Sequence, residues 1–573
     1  MNFSPKKLSL ALAAIGPSVL SMISVSFAQP LPLLEQELQR QPDRRLELPE
    51  LSPTPPPSLE TPSPTPVPEI SPFTRTVYVT EFRFLGNTVI SDEELAEIAA
   101  PYLNRRIAFS ELIELRSRIT YHYAVQGYTT SAAFIPVSPN RNLDENAASF
   151  AIQILEGQIE AIQVFGNDRL TQYVTNRIER AITPIFNQPK LEEALRLLQD
   201  DQLINTISAT LSEGSQRNLG ILSLQVEGQP PFGFRASVDN ARSPTVGTVQ
   251  VETEIEFANT FGLGEVVSTS YGFTEGSEQV DLDFIAPLNS SNGAIGFRFS
   301  NLDGQITEPP LDELDIEVDS RVYELSYQQP VIRKANSAGI EEFVLGVSAA
   351  RLESESTIEG FPFALSAGAD DEGRTRISEL SLFQEYRRQA SQAALLGRSE
   401  FSFGLDAFNS TMNDEGPDAQ YFLWRGQFAW LKRVLDNSLL LVRGDIQLTP
   451  DSLVPLVQFG LTGDELVKGY RQGAVISDNG ILGSVELRVP VVEERATSLS
   501  VVPSFNAGIG WNNGEERELD QNLLAAPGIG LELTVGNFLA RLDYAVPLTD
   551  VGFEGDSFQE DGFNFRLEYQ TRF

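Results

Sequence analysis

From Phe232 to Phe573 apolar and polar side chains alternate with a period of two, in runs of about ten residues broken by turns of Gly, Asn, Asp and Pro. In AIGFRFSN, Ile295, Phe297 and Phe299 share one face, while Gly296, Arg298 and Ser300 share the other. YFLWRGQFAW does the same with Phe422, Trp424, Phe428 and Trp430. In LLVRGDIQL, Leu440, Val442, Ile446 and Leu448 alternate with Leu441, Arg443, Asp445 and Gln447. A soluble sandwich also alternates, but it does not place Arg, Asp and Glu on the inner face of strand after strand, because charge in a dry core is costly. A wall with lipid outside and water inside accommodates that pattern. The C-terminal two-thirds therefore predicts an antiparallel transmembrane β-barrel.

About seventeen segments between Phe232 and Phe573 qualify as candidate strands, and one of them, LVPLVQFGL (453 to 461), is short and holds Pro455. Without it the count is about sixteen, an even number that closes in one chain with both ends on the same side. LVPLVQFGL then falls in one long loop, 450 to 480. The closing strand, FNFRLEYQTRF, sends Phe563, Phe565, Leu567, Tyr569 and Phe573 outward and Asn564, Arg566, Glu568, Gln570 and Arg572 inward. It is expected to pair with the first strand near Phe232.

At the other end, Lys6 and Lys7 precede an apolar run that closes on the small residues Ser26 and Ala28, which predicts an exported chain cleaved after residue 28. Residues 31 to 41, within a leader of 29–47, carry Leu33, Leu34 and Leu38 on one helical face. The stretch 48–74 is too proline-rich to build a core and reads as an extended linker. An internal repeat follows: FRFLGNTVIS (82 to 91) matches IQVFGNDRLT (162 to 171), and ILEGQ (154 to 158) matches QVEGQ (225 to 229). Each copy, 75–157 and 158–229, predicts strand, helix, helix, strand, strand. In the first, Ser91 and Glu94 form a capping box, and Leu112, Leu115, Ile119 and Tyr123 mark the core face of the second helix.

The chain has no cysteine and one histidine, His122, on that second helix, so a thiol nucleophile, a thiolate or histidine metal site and a Ser-His-Asp triad have no basis. No catalytic residue, metal or cofactor is expected, and the chain reads as no enzyme. A formal charge of −37 repels nucleic acid. Much of that charge lies in segments such as 301 to 320 and 351 to 360, which read as hydrated loops. The basic knot of this acidic chain is Val467, Lys468, Gly469, Tyr470 and Arg471 in the long loop, where Gly469 and Gly473 permit tight turns. Cations folded into a lumen need partners, so this loop is expected to be docked.

VKGY (467 to 470), followed by DNG and the strand SVELRVP, resembles the sixth-loop motif of the superfamily that unites outer-membrane assembly factors with two-partner-secretion transporters. PSFNAGIGW (503 to 511) resembles that superfamily's partner strand, with Phe505, Asn506 and Gly508 in the motif and Asn506 where an aspartate is usual. SVDNARSPTVGTVQVETEIEFANTFGLGEVVS (237 to 268) resembles the opening hairpin of the secretion branch, and the two repeats resemble POTRA domains. The resemblance covers nearly the whole chain. It implies periplasmic POTRA-like domains ahead of an outer-membrane barrel of about sixteen strands, a pore that passes a partner exoprotein to the cell surface, and a leader helix able to plug that pore. It also implies that the repeats capture the client by strand addition, that Lys468 pairs with Asn506, or Arg471 takes over that pairing, or Lys468 finds a carboxylate such as Glu486, and that Tyr569 and Phe573 form the address read by the barrel-assembly machinery. An assembly factor of the same superfamily and a solute porin are the competing readings. The acidic loops and proline-rich leader suit a cyanobacterial member.

Overall fold

The computed structural model describes residues 51, 59–60, 76–136, 147–182, 184–414, 416–435, 437–463, 466–514, 519, 521–552 and 557–573. The expected signal peptide and the helix at 31–41 lie outside the described residues, as does most of the proline-rich linker.

The first repeat runs β1 (Thr76–Leu85), α1 (Asp92–Ala99), β2 (Arg105–Ala108), α2 (Phe109–Val125), β3 (Ala132–Phe134) and β4 (Ala148–Leu155). The short β2 was not foreseen; it pairs with β1, giving the sheet order β2-β1-β4-β3. Leu112, Leu115, Ile119 and Tyr123 of α2 are buried against Val79, Ile152 and Ile154. The capping box is half formed. Ser91 Oγ accepts from Glu94 N at 3.2 Å, whereas the Glu94 carboxylate lies 2.7 Å from His122 Nε2 instead of on the Ser91 backbone N–H.

The second repeat runs β5 (Gln158–Phe165), α3 (Thr171–Ala181), α4 (Gln188–Gln199), β6 (Ile204–Glu213) and β7 (Leu219–Gly228). The parallel pairs Leu85 with Gln153 and Phe165 with Gln225 fix the equivalence of the two copies. In that register Glu156 corresponds to Gly228, so the two Glu-Gly-Gln motifs are one residue out of step. Their chemistry differs accordingly. Glu156 accepts from Thr88 N at 2.7 Å, Val89 N at 3.1 Å and Tyr123 Oη at 3.0 Å, whereas Glu227 is exposed and accepts from Thr206 Oγ1.

Burial pushes the Glu156 carboxyl up, but the hydrogen bonds from Thr88, Val89 and Tyr123 outweigh it and hold the group below its ordinary value of 4.5. A depressed carboxyl stabilises the fold above its unfolded value, and that contribution disappears as pH falls from about 4.5 through the lower folded value. Glu156→Gln is therefore expected to destabilise the first repeat by about 1–3 kcal/mol at neutral pH, with the difference shrinking in acid. Among the described residues every α-helix lies in the two repeats, so denaturant titration followed by helical circular dichroism reads this directly.

Sixteen antiparallel strands close the barrel: β8 (Phe232–Asp239), β9 (Gln250–Ala258), β10 (Val266–Phe273), β11 (Ser277–Pro287), β12 (Ala294–Gln305), β13 (Ile316–Asn336), β14 (Gly339–Ile358), β15 (Arg374–Gln389), β16 (Ala393–Leu405), β17 (Phe422–Val434), β18 (Ser438–Leu448), β19 (Asn479–Glu494), β20 (Thr497–Trp511), β21 (Leu523–Val535), β22 (Phe538–Ala545) and β23 (Phe563–Arg572). Residues 453 to 461 lie outside the wall, as a 3₁₀ turn at Pro455–Val457 and the two-residue strand Phe459–Gly460. Pro455 cannot donate to a ladder. β23 pairs with β8 from Arg566 opposite Asp239 to Arg572 opposite Gly233, and Phe573 N donates to Phe232 O at 2.8 Å. The rings of Phe257, Phe232 and Phe573 line up on the outer face, with centroids 5.4 and 5.8 Å apart. Inward charges pair across strands, as in Arg298 with Asp283 at 2.7 Å and Arg425 with Asp445 at 2.6 Å, which makes a charged lumen tolerable.

The second repeat is docked on the rim that carries Phe232 and Phe573. Asn259 Nδ2 donates to Arg169 O at 3.3 Å, Arg177 Nε to Asn292 Oδ1 at 2.9 Å, Ala335 N to Glu193 Oε1 at 3.2 Å, and Arg387 pairs with Asp200 at 2.7 Å. Four consecutive barrel hairpins thus hold α3 and α4.

Candidate functional site

The loop between β18 and β19 folds into the barrel and carries its own small core. Phe459, Leu461, Val467, Tyr470 and Val475 are buried with Leu482, Leu524, Ala526 and Ala545 of the wall. The glycines of the facing strands are receptors for these side chains: a Cβ at Gly508 would stand 3.0 Å from Leu461 Cδ2 and 3.3 Å from Val467 Cγ2, and one at Gly510 would meet Leu461 and Ser477. Gly469, at φ +84°, brings the loop backbone against Ala545 O. Tyr470 Oη donates to Ala525 O at 3.0 Å and lies 2.7 Å from Thr549 Oγ1, tying the loop tip to β21 and to the loop before β23. At the loop base, the buried Asp478 carboxylate accepts from Leu453 N at 3.0 Å, Gln458 Nε2 at 2.8 Å and Asn513 N at 2.9 Å. One side chain pins both ends of the loop to the next hairpin.

Lys468 is 6% exposed. Its Nζ stands 3.2 Å from Asp543 Oδ2 and 3.7 Å from Glu486 Oε1. Arg541 braces the same carboxylates, with Nε 2.7 Å from Asp543 Oδ2 and a terminal nitrogen 3.2 Å from Glu486 Oε2. Asn506 faces inward from β20, but its Nδ2 is buried without a hydrogen-bond partner. The expectation of an ion-to-amide bond is thus replaced by two ion pairs, because a carboxylate outbids a neutral amide for a desolvated ammonium. Phe505 does not join the site: odd positions of β20 face out, and its ring is 48% exposed on the lipid side. A double-mutant cycle on Lys468 and Asp543, read as pore conductance, is expected to show coupling of about 1 kcal/mol or more, against a smaller value for Lys468 and Asn506.

Arg471 points elsewhere. Its guanidinium forks onto Glu308 in the loop before β13, with one nitrogen 2.7 Å from Oε1, and reaches Glu560 Oε1 at 3.4 Å. Gln472 N donates to Gln559 Oε1 at 2.9 Å, and the Gln559 amide in turn donates to Asn240 O and Arg242 O. The loop tip is therefore clasped to both sides of the β23–β8 seam. Asp543, Arg541, Glu308, Gln559 and Asp478 were missed as site residues. The first two were visible only as inward alternation in LARLDYA.

At the opposite rim, Leu59–Glu60 adds to the free edge of β6 as a parallel strand, Leu59 opposite Ala209 and Glu60 opposite Thr210. Leu51 packs against Ala394, Leu431 and Leu441 on the inner face of the barrel. Tyr569 is exposed on the outer face, and Phe573 is exposed at the seam's end.

The family model for haemolysin secretion/activation protein ShlB/FhaC/HecB matches residues 220–533, more than half of the chain, and that for the ShlB-type POTRA domain matches 77–157. The heme/hemopexin transporter protein HuxB of Haemophilus influenzae is 21% identical over 81% of this chain and 82% of its own length. The outer membrane transporter CdiB of Dickeya dadantii is 22% identical over 38% of this chain, a match that covers only 39% of that relative. The solved CdiB structure from Escherichia coli superposes with a TM-score of 0.67 at 16% identity, covering 94% of this chain and 95% of that one, which shows the shared fold. The chain belongs to the haemolysin secretion/activation family ShlB/FhaC/HecB, the two-partner-secretion transporters of the bacterial outer membrane.

Proposed function

We propose that this protein captures an unfolded partner exoprotein in the periplasm through its POTRA-like domains and passes it through the barrel to the cell surface. The observation that carries this reading is the covered edge of β6. A sheet edge that accepts an extended segment in parallel register belongs to the repeat docked on the rim of a charge-lined barrel, and the segment that fills it comes from the chain's own proline-rich linker. Strand addition of this kind reads main-chain groups and tolerates many client sequences. No step needs an enzyme, cofactor or metal, since folding of the client outside the cell supplies the drive.

The functional division follows. Residues 1–28 direct export, 29–47 supply a plug, 48–74 tether it, 75–157 and 158–229 are the two POTRA-like units, and 230–573 form the pore. The position of Leu51 inside the rim supports a leader that reaches back into the lumen. Val467, Lys468, Gly469, Tyr470 and Arg471 hold the gate, Gly508 receives it, and Tyr569 and Phe573 serve biogenesis by the barrel-assembly machinery, while lipid surrounds the wall. Co-expression with a candidate partner exoprotein tests the reading. Deleting 75–228 is expected to abolish secretion and leave other outer-membrane proteins at normal levels. Undiminished secretion with persistent solute flux would mean a porin, and loss of many outer-membrane proteins from a strain lacking the protein would mean an assembly factor.

A further inference from the structure

The turn between β9 and β10, Asn259 to Glu265, carries two of the most exposed large apolar side chains of the protein, Phe261 at 75% and Leu263 at 65%. Isolated apolar residues on a surface are ordinary. This pair is different in being held rigidly. The buried Glu265 carboxylate accepts from Phe261 N at 2.6 Å and Leu263 N at 3.1 Å, Asn259 N donates to Glu265 O at 2.6 Å, and Gly264 N donates to Asn259 Oδ1 at 2.9 Å. Asn259, Gly262 and Gly264 all have positive φ, so the tip is wound tightly around that carboxylate. The only charge in the turn is thereby hidden, and what remains exposed is apolar.

The two sides of the turn face different surroundings. Its inner side belongs to the second repeat: Asn259 bonds Arg169 O, a Cβ at Gly264 would overlap the Tyr173 ring, and Ala258 and Val266 join the core formed by α3 and α4. Phe261 and Leu263 are exposed and do not join that core. They follow directly on β9, whose last outward residue, Phe257, stands in the aromatic row with Phe232 and Phe573. Such a row marks the water-lipid boundary of a barrel.

We propose that the Phe261–Leu263 turn dips into the periplasmic leaflet of the outer membrane and, through Arg169 and Tyr173 on its inner side, fixes the height and pitch of the second POTRA-like repeat beneath the pore. The occupant is lipid, because the pair is continuous with the lipid-facing belt and carries no exposed charge. This rests only on the barrel lying in a bilayer.

The absence of cysteine makes the test simple. Phe261→Cys and, separately, Leu263→Cys are labelled with an environment-sensitive fluorophore in the full-length protein, reconstituted in phosphatidylethanolamine–phosphatidylglycerol vesicles. Phe257→Cys serves as the lipid reference and Tyr121→Cys on α2, 71% exposed, as the water reference. Heat-modifiable migration confirms that each variant is folded. Labels at 261 and 263 are expected to be quenched by shallow spin-labelled lipid as strongly as that at 257 and to resist aqueous iodide. Iodide quenching equal to that at 121, with no effect of the lipid quencher, would overturn the proposal. So would iodide quenching that is relieved only when an unfolded polypeptide client is added, since the surface would then be a client dock. A failed lipid signal at 257 itself would instead count against the barrel's placement in the bilayer.

Discussion

Val467→Asp opens the pore: single-channel conductance rises severalfold and secretion of the partner falls to background, while the barrel still assembles and migrates as a heat-modifiable species. Val467 is fully buried between Leu461 and the wall at Gly508. Burying Phe459, Leu461, Val467, Tyr470 and Val475 contributes on the order of 10 kcal/mol of gross apolar stabilisation, at about 2 kcal/mol per side chain, from which the entropy of ordering the loop must be subtracted. The ion pairs at Lys468 add little beyond that, because desolvation consumes most of their Coulomb energy. The apolar core therefore holds the loop, and the charges set its register. An aspartate at 467 costs several kcal/mol when buried unpaired, and Lys468 and Arg541 are already engaged by Glu486 and Asp543, so expulsion of the loop is the cheaper outcome. Lys468→Ala, which leaves the apolar contacts intact, raises conductance far less. Unchanged conductance in Val467→Asp would show that the loop does not occlude the pore.

Locking the leader onto β6 blocks client capture. Leu59 and Ala209 are direct partners across parallel strands, a spacing of about 4.8 Å that lies within the Cα range of a disulfide. The variant Leu59→Cys with Ala209→Cys, oxidised, is expected to bind the client's N-terminal region at least about tenfold more weakly, because a tethered competitor that cannot leave has no finite effective concentration to overcome. Reduction restores binding, and either single cysteine behaves as wild type. Secretion from intact cells follows the same order. Equal binding by the oxidised and reduced forms would move the client's site away from this edge.

The barrel was legible because strand alternation is local: Phe297, Phe428 and Leu567 declare their face without reference to any partner. Even the misfit segment was legible, since Pro455 removes the donor a wall strand needs. What escaped the sequence depends on register. Glu486 on β19 was among the partners expected for Lys468, but its convergence with Asp543 on β22 was not, since only the pairings through β20 and β21 bring those carboxylates together. The departure to asparagine at 506 was visible, but the transfer of its role to 543 was not. Glu156 and Glu227 show the same limit in the repeats: identical Glu-Gly-Gln triplets differ by one position in the sheet, and only one of them ties down the Gly-Asn turn. The leader strand at Leu59–Glu60 carries no pattern at all in two residues. It was found as a contact, against an edge the fold leaves open.

Movement of polypeptide is what sets this pore apart from a solute channel. Purified full-length protein, reconstituted in vesicles with its POTRA-like repeats outside, is given the unfolded partner exoprotein and then protease. Partner is expected to become protected inside the vesicles with wild-type protein, and that protection is expected to be lost both with the oxidised Leu59–Ala209 lock and on deletion of 75–228. Vesicles that conduct small solutes but never protect the partner would contradict this expectation.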